Sequence, residues 1–334
     1  MRIRKVGVRP SPDVFAAVMA TGILSIAAQK QHYRPLSEPL IMLAAAGMTL
    51  LVVLVLVTGA AKRWDLKDPD VTVRLFTFVA ACAVLDSGLD AVRAVVLPLG
   101  LAAFSCWLTL ALLTTRNMAA NSWTALRDRA RGAWELASVG TSGTAIVAAE
   151  FARHPPLHWC SGVAVVLWVA GLCSYGLMTS LILWRAIAER QDGFEPDSWI
   201  LMGGLAIATL TGDRICSQAA GWLGSTVATV TVLTWLAATL WIPALTYLVL
   251  RRIKRRPALL RFAGVWWAMV FPLGMYSVAT AATAANGAAA AELGRSSLKS
   301  VSLVFFWIAL VAWLVVVLAG LLRIRALAAA TSKR

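Results

Sequence analysis

Charged residues are scarce in this sequence, in which Asp, Glu, Lys and Arg together make up 14% of 334 residues. A soluble domain carries about 25% charged residues, so this chain has too few to cover a surface that faces water. Its apolar residues come in runs of about 18 to 25, the length that an α-helix needs to cross a hydrocarbon core of about 30 Å. No long hydrophilic linker divides the chain, and we therefore predict a single membrane domain over residues 1–334.

Cysteine and histidine are scarce as well, with five and three residues. The cysteines show no CxxC or zinc-like spacing, so they are expected to pack within apolar segments, and we predict no metal site and no cofactor. His154 and His158 support the alternative of a membrane-embedded enzyme, because two histidines can hold a metal. The two prolines between them preclude a regular helical pair, and no constellation of carboxylates accompanies them. We therefore predict that the protein is not an enzyme.

Hydropathy predicts ten transmembrane helices, each bounded to within about three residues. The predicted spans are 13–29, 38–59, 72–89, 91–114, 133–151, 159–184, 198–218, 223–249, 262–285 and 299–323. Short tails remain at 1–11 and 324–334. The predicted fold class is therefore an all-α integral membrane protein.

The 31 lysines and arginines are distributed unequally over the two sides of these spans. All but seven fall on the side of the two termini. The seven on the opposite side are Lys30, Arg34, Arg93, Arg153, Arg214, Arg295 and Lys299. The positive-inside rule then predicts a multi-pass protein of the cell membrane with both termini in the cytoplasm. Membrane insertion and anionic lipid headgroups explain the basic face, which without a binding motif does not indicate nucleic acid.

The odd-numbered and even-numbered helices differ in composition. Odd-numbered helices are rich in small and hydroxyl residues, as in the run Gly140-Thr141-Ser142-Gly143-Thr144 of predicted helix 5. Predicted helix 10 consists almost entirely of Val, Leu, Phe and Trp. Small residues let helix backbones approach closely, and hydroxyls satisfy freed carbonyls or line a wet path. An inner ring of odd helices around a pore and ordinary tight packing explain the pattern equally well.

Ionisable residues are scarce in the middle of the spans. Asp86, Asp90, Glu135, Glu150, Asp213 and Arg214 all lie near span ends. Proton-coupled carriers place carboxylates or histidines near the midplane, so the pattern favours a pathway without a buried charge relay. A pore without central carboxylates is also less hostile to anions than to cations.

Four segments in a fixed order carry a family resemblance: PDVFAAVMATGILS (12–25), RLFTFVAACAVLDS (74–87), LMGGLAIATLTG (201–212) and WWAMVFPLGMYSVAT (266–280). Together they resemble the tellurite-resistance/dicarboxylate transporter family, which includes the plant guard-cell slow anion channels. The resemblance implies ten helices as five hairpins in a quasi-fivefold arrangement, with the odd helices around a central pore. It also implies a homotrimer that passes small inorganic or organic anions such as chloride, nitrate, sulfite or dicarboxylates.

The family has a phenylalanine on helix 9 that occludes the pore, and Phe271 matches it here. Pro272 crowds the carbonyl four residues earlier, so a kink is expected that turns a neighbouring side chain inward. The alternative is that Phe271 only packs between helices. The candidate pore-lining residues are Thr21, Gly22, Ser25, Thr77, Ser142, Gly143, Gly204, Thr209, Gly274 and Ser277.

Two departures from the family pattern bear on substrate. Asp86 stands on helix 3 where an uncharged residue is expected, and it is predicted to lie at the pore mouth or to pair with Arg93. Helix 5 matches the family least well. A proton-coupled carrier or exporter of dicarboxylate, sulfite or tellurite is the alternative function, because the fold does not separate a channel from a carrier.

Overall fold

The computed structural model describes residues 10–89, 93–154, 157–189, 196–255, 266–286 and 294–332. Within these ranges the regular structure is helical and includes no strand. The helices of 15 residues or more in these ranges are α1 (Ala16–Lys30), α2 (Arg34–Thr58), α3 (Pro69–Gly88), α4 (Arg93–Ala119), α5 (Leu136–Phe151), α6 (Cys160–Glu189), α7 (Ile200–Cys216), α8 (Gly221–Arg255), α9 (Trp267–Asn286) and α10 (Arg295–Ser332). These are the ten segments that hydropathy marks.

Seven of these helices are long and apolar enough to cross a membrane: α2, α3, α4, α6, α8, α9 and α10. The other three are odd-numbered and shorter, with 15 residues in α1, 16 in α5 and 17 in α7. Each of α5 and α7 continues a 3-10 turn, at Gly132–Glu135 and Pro196–Trp199. The prediction of an all-helical membrane protein is confirmed, and a crossing by all ten helices stays a prediction.

Four helices, α4, α6, α8 and α10, run five residues or more beyond their predicted ends, and the last two run furthest. Hydropathy ends the last span at 323, whereas α10 continues to Ser332, and α8 continues to Arg255 beyond a predicted end at 249. A helix satisfies its own backbone hydrogen bonds, so it can continue after its apolar residues stop. The apolar run therefore marks the predicted membrane crossing rather than the end of the helix.

Local sequence signals fix several helix ends. Asp68 precedes α3, and its side chain accepts a hydrogen bond from the Asp70 amide at 3.1 Å, with Pro69 at the first helical position. α2 ends at Gly59, which has a φ of 60°. Such a left-handed residue at a helix C-terminus is usually glycine, because it has no Cβ.

Consecutive long helices pair as hairpins, and the odd-numbered helices pack in a closed cycle. The hairpins are α1–α2, α3–α4, α5–α6, α7–α8 and α9–α10. Each odd-numbered helix also packs extensively against the next, in the order α1, α3, α5, α7, α9 and back to α1. We call α1, α3, α5, α7 and α9 the inner helices and the other five the outer helices.

The two groups differ in burial. In α9, 83% of the most apolar stretch is buried within the protein, against 17% in α4. Large apolar side chains such as Leu50 on α2, Leu112 on α4 and Leu240 on α8 are more than half exposed. The outer helices thus present an apolar surface, and the inner helices form the core.

The inner helices begin on one side of the bundle and end on the other. On the start face, Arg74 pairs with Asp13 at 3.6 Å, and Arg129, on a short helix at Trp123–Arg129, pairs with Asp68 and Asp70. On the end face, the side chain of Gln31 donates to the Ser302 hydroxyl at 2.7 Å, which ties the α1–α2 turn to α10.

Candidate functional site

A cavity of about 370 Å³ opens on the end face, in the middle of the inner helices. All five inner helices contribute to its wall. The apolar part of the wall comprises Ile23, Ile26, Ala83, Val84, Ile146, Ile207, Leu210, Met275 and Val278, and Gly143 lies among them. Polar side chains are added near the surface by Gln29, Lys30, His32, Ser87 and Arg214. The cavity is therefore a funnel with a polar rim and an apolar floor.

A second cavity, of about 340 Å³, adjoins the first and shares Lys30, His32, Leu210 and Arg214 with it. It extends toward α9 and α10. Its additional charged side chains are Arg153, Asp213 and Lys299. The mouth of the inner ring on the end face is thus rich in cationic side chains.

The start face has a much smaller cavity, of about 30 Å³, which is also lined by all five inner helices or the turns that lead into them. Its wall comprises Asp13, Ala16, Met19, Arg74, Thr77, Ala133, Leu136, Asp197, Ile200 and Ala268. The Asp197 carboxylate accepts a hydrogen bond from the Ala133 amide at 3.0 Å, which joins the turns before α5 and α7. The described residues thus leave a large cavity at the end face of the inner ring and a much smaller one at the start face.

Phe271 lies between the two cavities. On α9, Ala268 lines the start-face cavity, and Met275 and Val278 line the end-face cavity. Positions 268, 271, 275 and 278 follow helical spacing and lie on one side of the helix. Phe271 therefore occupies the level that separates the cavities, and its side chain is fully buried.

Two of the other inner helices, α3 and α7, carry smaller residues at that level. By the same spacing, Ala80 of α3 lies between Thr77 and Ala83, and Gly203 of α7 lies between Ile200 and Ile207. Ala80 is buried like Phe271. At the level that separates the cavities, the benzyl side chain of Phe271 is therefore larger than the methyl group of Ala80, and Gly203 has no side chain.

Pro272 packs against α7. A Cβ placed on Gly203 would lie 3.0 Å from Cγ of Pro272, so the absence of a side chain at Gly203 lets the proline approach. Pro272 lies within α9, which is continuous from Trp267 to Asn286. The expected kink at this position stays a prediction.

Four of the six hydroxyls proposed as pore lining make hydrogen bonds to outer helices. The Thr21 hydroxyl accepts from the Trp313 indole of α10 at 3.0 Å. Further hydroxyl contacts to outer helices are Ser25 with Ser37 of α2 (2.7 Å to its carbonyl), Thr209 with Thr234 of α8 (2.9 Å) and Ser277 with Ser302 of α10 (2.7 Å to its carbonyl). These four side chains therefore join an inner helix to an outer one.

The remaining candidates divide between packing positions and cavity walls. A Cβ on Gly204 would meet the ring of Tyr175 on α6 at 3.0 Å, and Ser142 lies against Gly171 of the same outer helix. Gly22 packs against Val84 of α3, and Gly274 packs against Ile23 of α1. Gly143 lines the end-face cavity and Thr77 lines the start-face cavity, so the structure places these two candidates along the ring's centre.

Glu135 and Asp86 are the most deeply buried of the carboxylates near span ends that the structure describes, which their positions in the sequence did not indicate. Glu135, directly before α5, is fully buried and accepts a 2.6 Å hydrogen bond from the Thr179 hydroxyl of α6 through one oxygen. Asp86 on α3 is 1% exposed. The side chain of Arg93 lies outside the described residues, so the predicted pairing of Asp86 with Arg93 stays a prediction.

The histidines near the end of α5 bear on the enzyme alternative. Nδ1 of His158 lies 3.1 Å from the carbonyl oxygen of Ala152, and residues 155–156 between the two histidines lie outside the described ranges. Among the described residues, no group of three or more His, Cys, Asp or Glu is arranged to hold a metal ion.

The comparison with protein families covers nearly the whole chain. Residues 9–321 match the family described as voltage-dependent anion channel. This is the family of the slow anion channels that the four sequence segments resemble, so that resemblance is confirmed. No individually curated protein matches the chain.

Proposed function

The chain belongs to the voltage-dependent anion channel family, and from this premise we propose that it passes small anions along the axis of its five inner helices. In this proposal all ten long helices cross the membrane as five hairpins in a quasi-fivefold arrangement. The closed cycle of inner helices supports this arrangement, because each inner helix packs on two others and carries one outer helix. The start face lies in the cytoplasm with both termini, as the excess of Lys and Arg on that side favours.

Phe271 closes this pathway in the proposal. The observation that carries the argument is its position on α9 between Ala268, in the wall of one cavity, and Met275, in the wall of the other. A large apolar ring in a narrow apolar pore excludes water, and an anion that loses its hydration shell there meets a high barrier. Movement of one side chain would then connect the two cavities.

We propose membrane lipid and further copies of the chain as partners, because the surface of the outer helices is apolar. Its exposed Leu, Val and Ile side chains match hydrocarbon rather than water. The resemblance to the slow anion channels implies a homotrimer, and cross-linking of the purified protein in native-like bilayers would test that number.

The gate is tested by replacing Phe271 with Ala and measuring currents in planar bilayers. We expect stepwise anion conductance at least tenfold above that of the wild type, because the replacement opens the level between the cavities. Chloride, nitrate, sulfite and malate would be compared as the permeant anion. Equal conductance in a correctly folded F271A protein would show that the ring does not close the pathway.

Phe305→Ala is the matched control for that experiment. Phe305 lies on α10, in the same hairpin as Phe271, and its ring contacts Tyr276 edge-on with centroids 4.6 Å apart. It lies on an outer helix and lines neither cavity, so its removal is expected to leave conductance unchanged. Increased conductance in both variants would instead indicate a loosened α9–α10 hairpin.

Glu135 favours a second candidate, a proton-coupled carrier of dicarboxylate, sulfite or tellurite. A carboxyl group buried at the start of an inner helix can exist as a neutral acid and release its proton when the protein changes conformation. Flux into liposomes that requires a pH gradient, and that loses this requirement in Glu135→Gln, would support the carrier. Flux that follows the anion gradient alone in both proteins would support the channel.

A further inference from the structure

Cationic side chains are concentrated at the mouth of the inner ring on the end face. The charge distribution assigns seven of the 31 Lys and Arg residues to this side of the protein. Four of those seven line the two adjoining cavities: Lys30, Arg153, Arg214 and Lys299. The positive-inside rule does not account for them, because it explains cations on the opposite face.

Lys30 and Arg214 have a special place among the four, because each lines both cavities. Lys30 is the last residue of α1, and Arg214 lies in the last turn of α7. The wider cavity, which they border, is the one that leads down the five inner helices toward Phe271. An anion that enters from the end face therefore passes both side chains before it reaches the apolar floor.

Acidic groups at the mouth offset part of this charge. Glu150, near the end of α5, pairs with both Arg153 and Arg214, each at 3.0 Å. Asp213 lines the second cavity. Asp86 also lies near the mouth, one position before Ser87, but it is buried and is absent from both cavity walls. Within the part of the chain that the structure describes, the four cations of the mouth thus face two carboxylates, Glu150 and Asp213, which leaves an excess of positive charge.

We propose, on the basis of the proposed function, that Lys30 and Arg214 form an anion-binding site at the mouth and that Glu150 sets its strength. The site captures hydrated anions before they lose water at the apolar level of Phe271. The Glu150 carboxylate pairs with one nitrogen of the Arg214 guanidinium. This pairing keeps the site weak enough for a captured anion to leave toward the pore. The ligand class is small inorganic and carboxylate anions, held by charge and N–H donors rather than by shape.

The charge of the ligand sharpens this proposal. The Coulomb energy of an anion with a fixed cation doubles when the anion carries two charges instead of one. Removal of one cation from the site is therefore expected to weaken malate binding more than chloride binding. A site selected by shape would show no such ordering.

Anion binding can be measured without any flux, by the broadening of the ³⁵Cl resonance of chloride in the presence of purified protein, with malate as competitor. Relative to wild type, Lys30→Gln is expected to weaken chloride binding by about two- to fivefold at low ionic strength, and malate binding by more. Glu150→Gln is expected to strengthen both. The double variant Glu150→Gln/Arg214→Gln removes both members of one ion pair, and it should bind more weakly than Glu150→Gln alone.

Arg34→Gln is the matched control. Arg34 is an exposed cation on the same face that lines neither cavity, and its replacement should change chloride broadening little. Equal effects of Lys30→Gln and Arg34→Gln would overturn the proposal, since the loss would then reflect general surface charge. Weaker binding in Glu150→Gln would overturn the role of Glu150.

The conductance of the opened pore provides a second readout. In the F271A background, Lys30→Gln should raise the chloride concentration that gives half-maximal current, with a much smaller change in the maximal current. An unchanged half-saturating concentration would contradict the binding site while leaving the proposed function intact. Absence of any anion flux from the F271A protein would contradict the proposed function, whereas the ³⁵Cl measurement would still decide the binding site.

Discussion

The inner and outer helices of this protein differ in length, in residue composition and in what surrounds them. Outer helices are long, as in the 35 residues of α8 and the 38 of α10, and carry exposed large apolar side chains. Inner helices are shorter and carry glycines and hydroxyls that are buried almost throughout. The outer surface only has to match hydrocarbon, whereas every face of an inner helix has to match a protein neighbour.

This difference locates the constraints on the sequence. An outer position tolerates any apolar side chain that lipid can solvate, because lipid adapts to its shape. An inner position has neighbours on all sides at close-packed density, so both a lost side chain and an added methyl group are costly. Three comparisons test this contrast, in order of decreasing expected effect.

The largest effect is expected from Phe76→Ala on the inner helix α3. Phe76 is 1% exposed, and a Cβ on Gly140 of α5 would lie 3.2 Å from its Cβ, so its side chain packs directly on a neighbouring inner helix. Loss of a buried phenylalanine costs about 3–5 kcal/mol. Unfolding by dodecyl sulfate in mixed micelles would measure the loss of stability.

Phe104→Ala on the outer helix α4 is the control for that change. Phe104 belongs to the same hairpin and is 41% exposed. Its replacement is expected to cost less than about 1 kcal/mol, because lipid or detergent fills the space that the ring leaves. Equal losses in the two variants would contradict the contrast between inner and outer helices.

A single added methyl group should have the next largest effect at Gly132. A Cβ at Gly132, in the turn before α5, would overlap the backbone of Asp197 and Ser198 before α7. Backbone atoms cannot rotate away as a side chain can, so Gly132→Ala is expected to cost about 1–3 kcal/mol in the same unfolding measurement.

Gly176→Ala on the outer helix α6 is the counterpart, because the added Cβ would have no described heavy atom within 4 Å apart from the surrounding turns of its own helix. We expect it to be neutral or to stabilise the protein by up to about 1 kcal/mol, since alanine favours a helix over glycine. Destabilisation by Gly176→Ala as large as that by Gly132→Ala would show that the turn on the start face is not specially crowded.

The smallest effect concerns the hydroxyl pair between α9 and α10. Ser277 donates to the Ser302 carbonyl at 2.7 Å, and Ser302 donates to the Ser277 carbonyl at 2.8 Å. Alanine retains the backbone carbonyl, so Ser277→Ala and Ser302→Ala each remove one of these bonds and leave the other in place. Each replacement is expected to cost about 0.6 kcal/mol, as is usual for hydrogen bonds between membrane helices, and the two effects are expected to add. A coupling energy as large as either single effect would show that the direct contact between the hydroxyls, at 3.3 Å, holds the hairpin instead.

Much of this architecture was readable in the linear sequence. Apolar runs located the ten helices, because a helix in hydrocarbon needs an unbroken apolar surface. Composition separated odd from even helices for a physical reason, since glycine and hydroxyl residues are useful only where a helix meets another helix or water. The sequence could not distinguish those two uses.

The predicted pore lining shows why. Thr21, Ser25, Thr209 and Ser277 have the composition expected of a wet path, yet each hydroxyl contacts an outer helix. Their direction depends on the rotation of each helix about its own axis, which the packing of neighbours decides. Of the ten candidates, Gly143 lines the end-face cavity and Thr77 lines the start-face cavity.

By itself the sequence determined that this chain is a helical membrane protein of the anion-channel family, because apolar length and family segments are local properties. Only the tertiary structure decided which side chains meet on the axis. It brought Lys30 and Arg214, 184 positions apart in the chain, to one mouth, and it set Phe271 between two cavities. The proximity of residues so far apart in the chain depends on how the five inner helices pack around one another, which the sequence of a single helix does not determine.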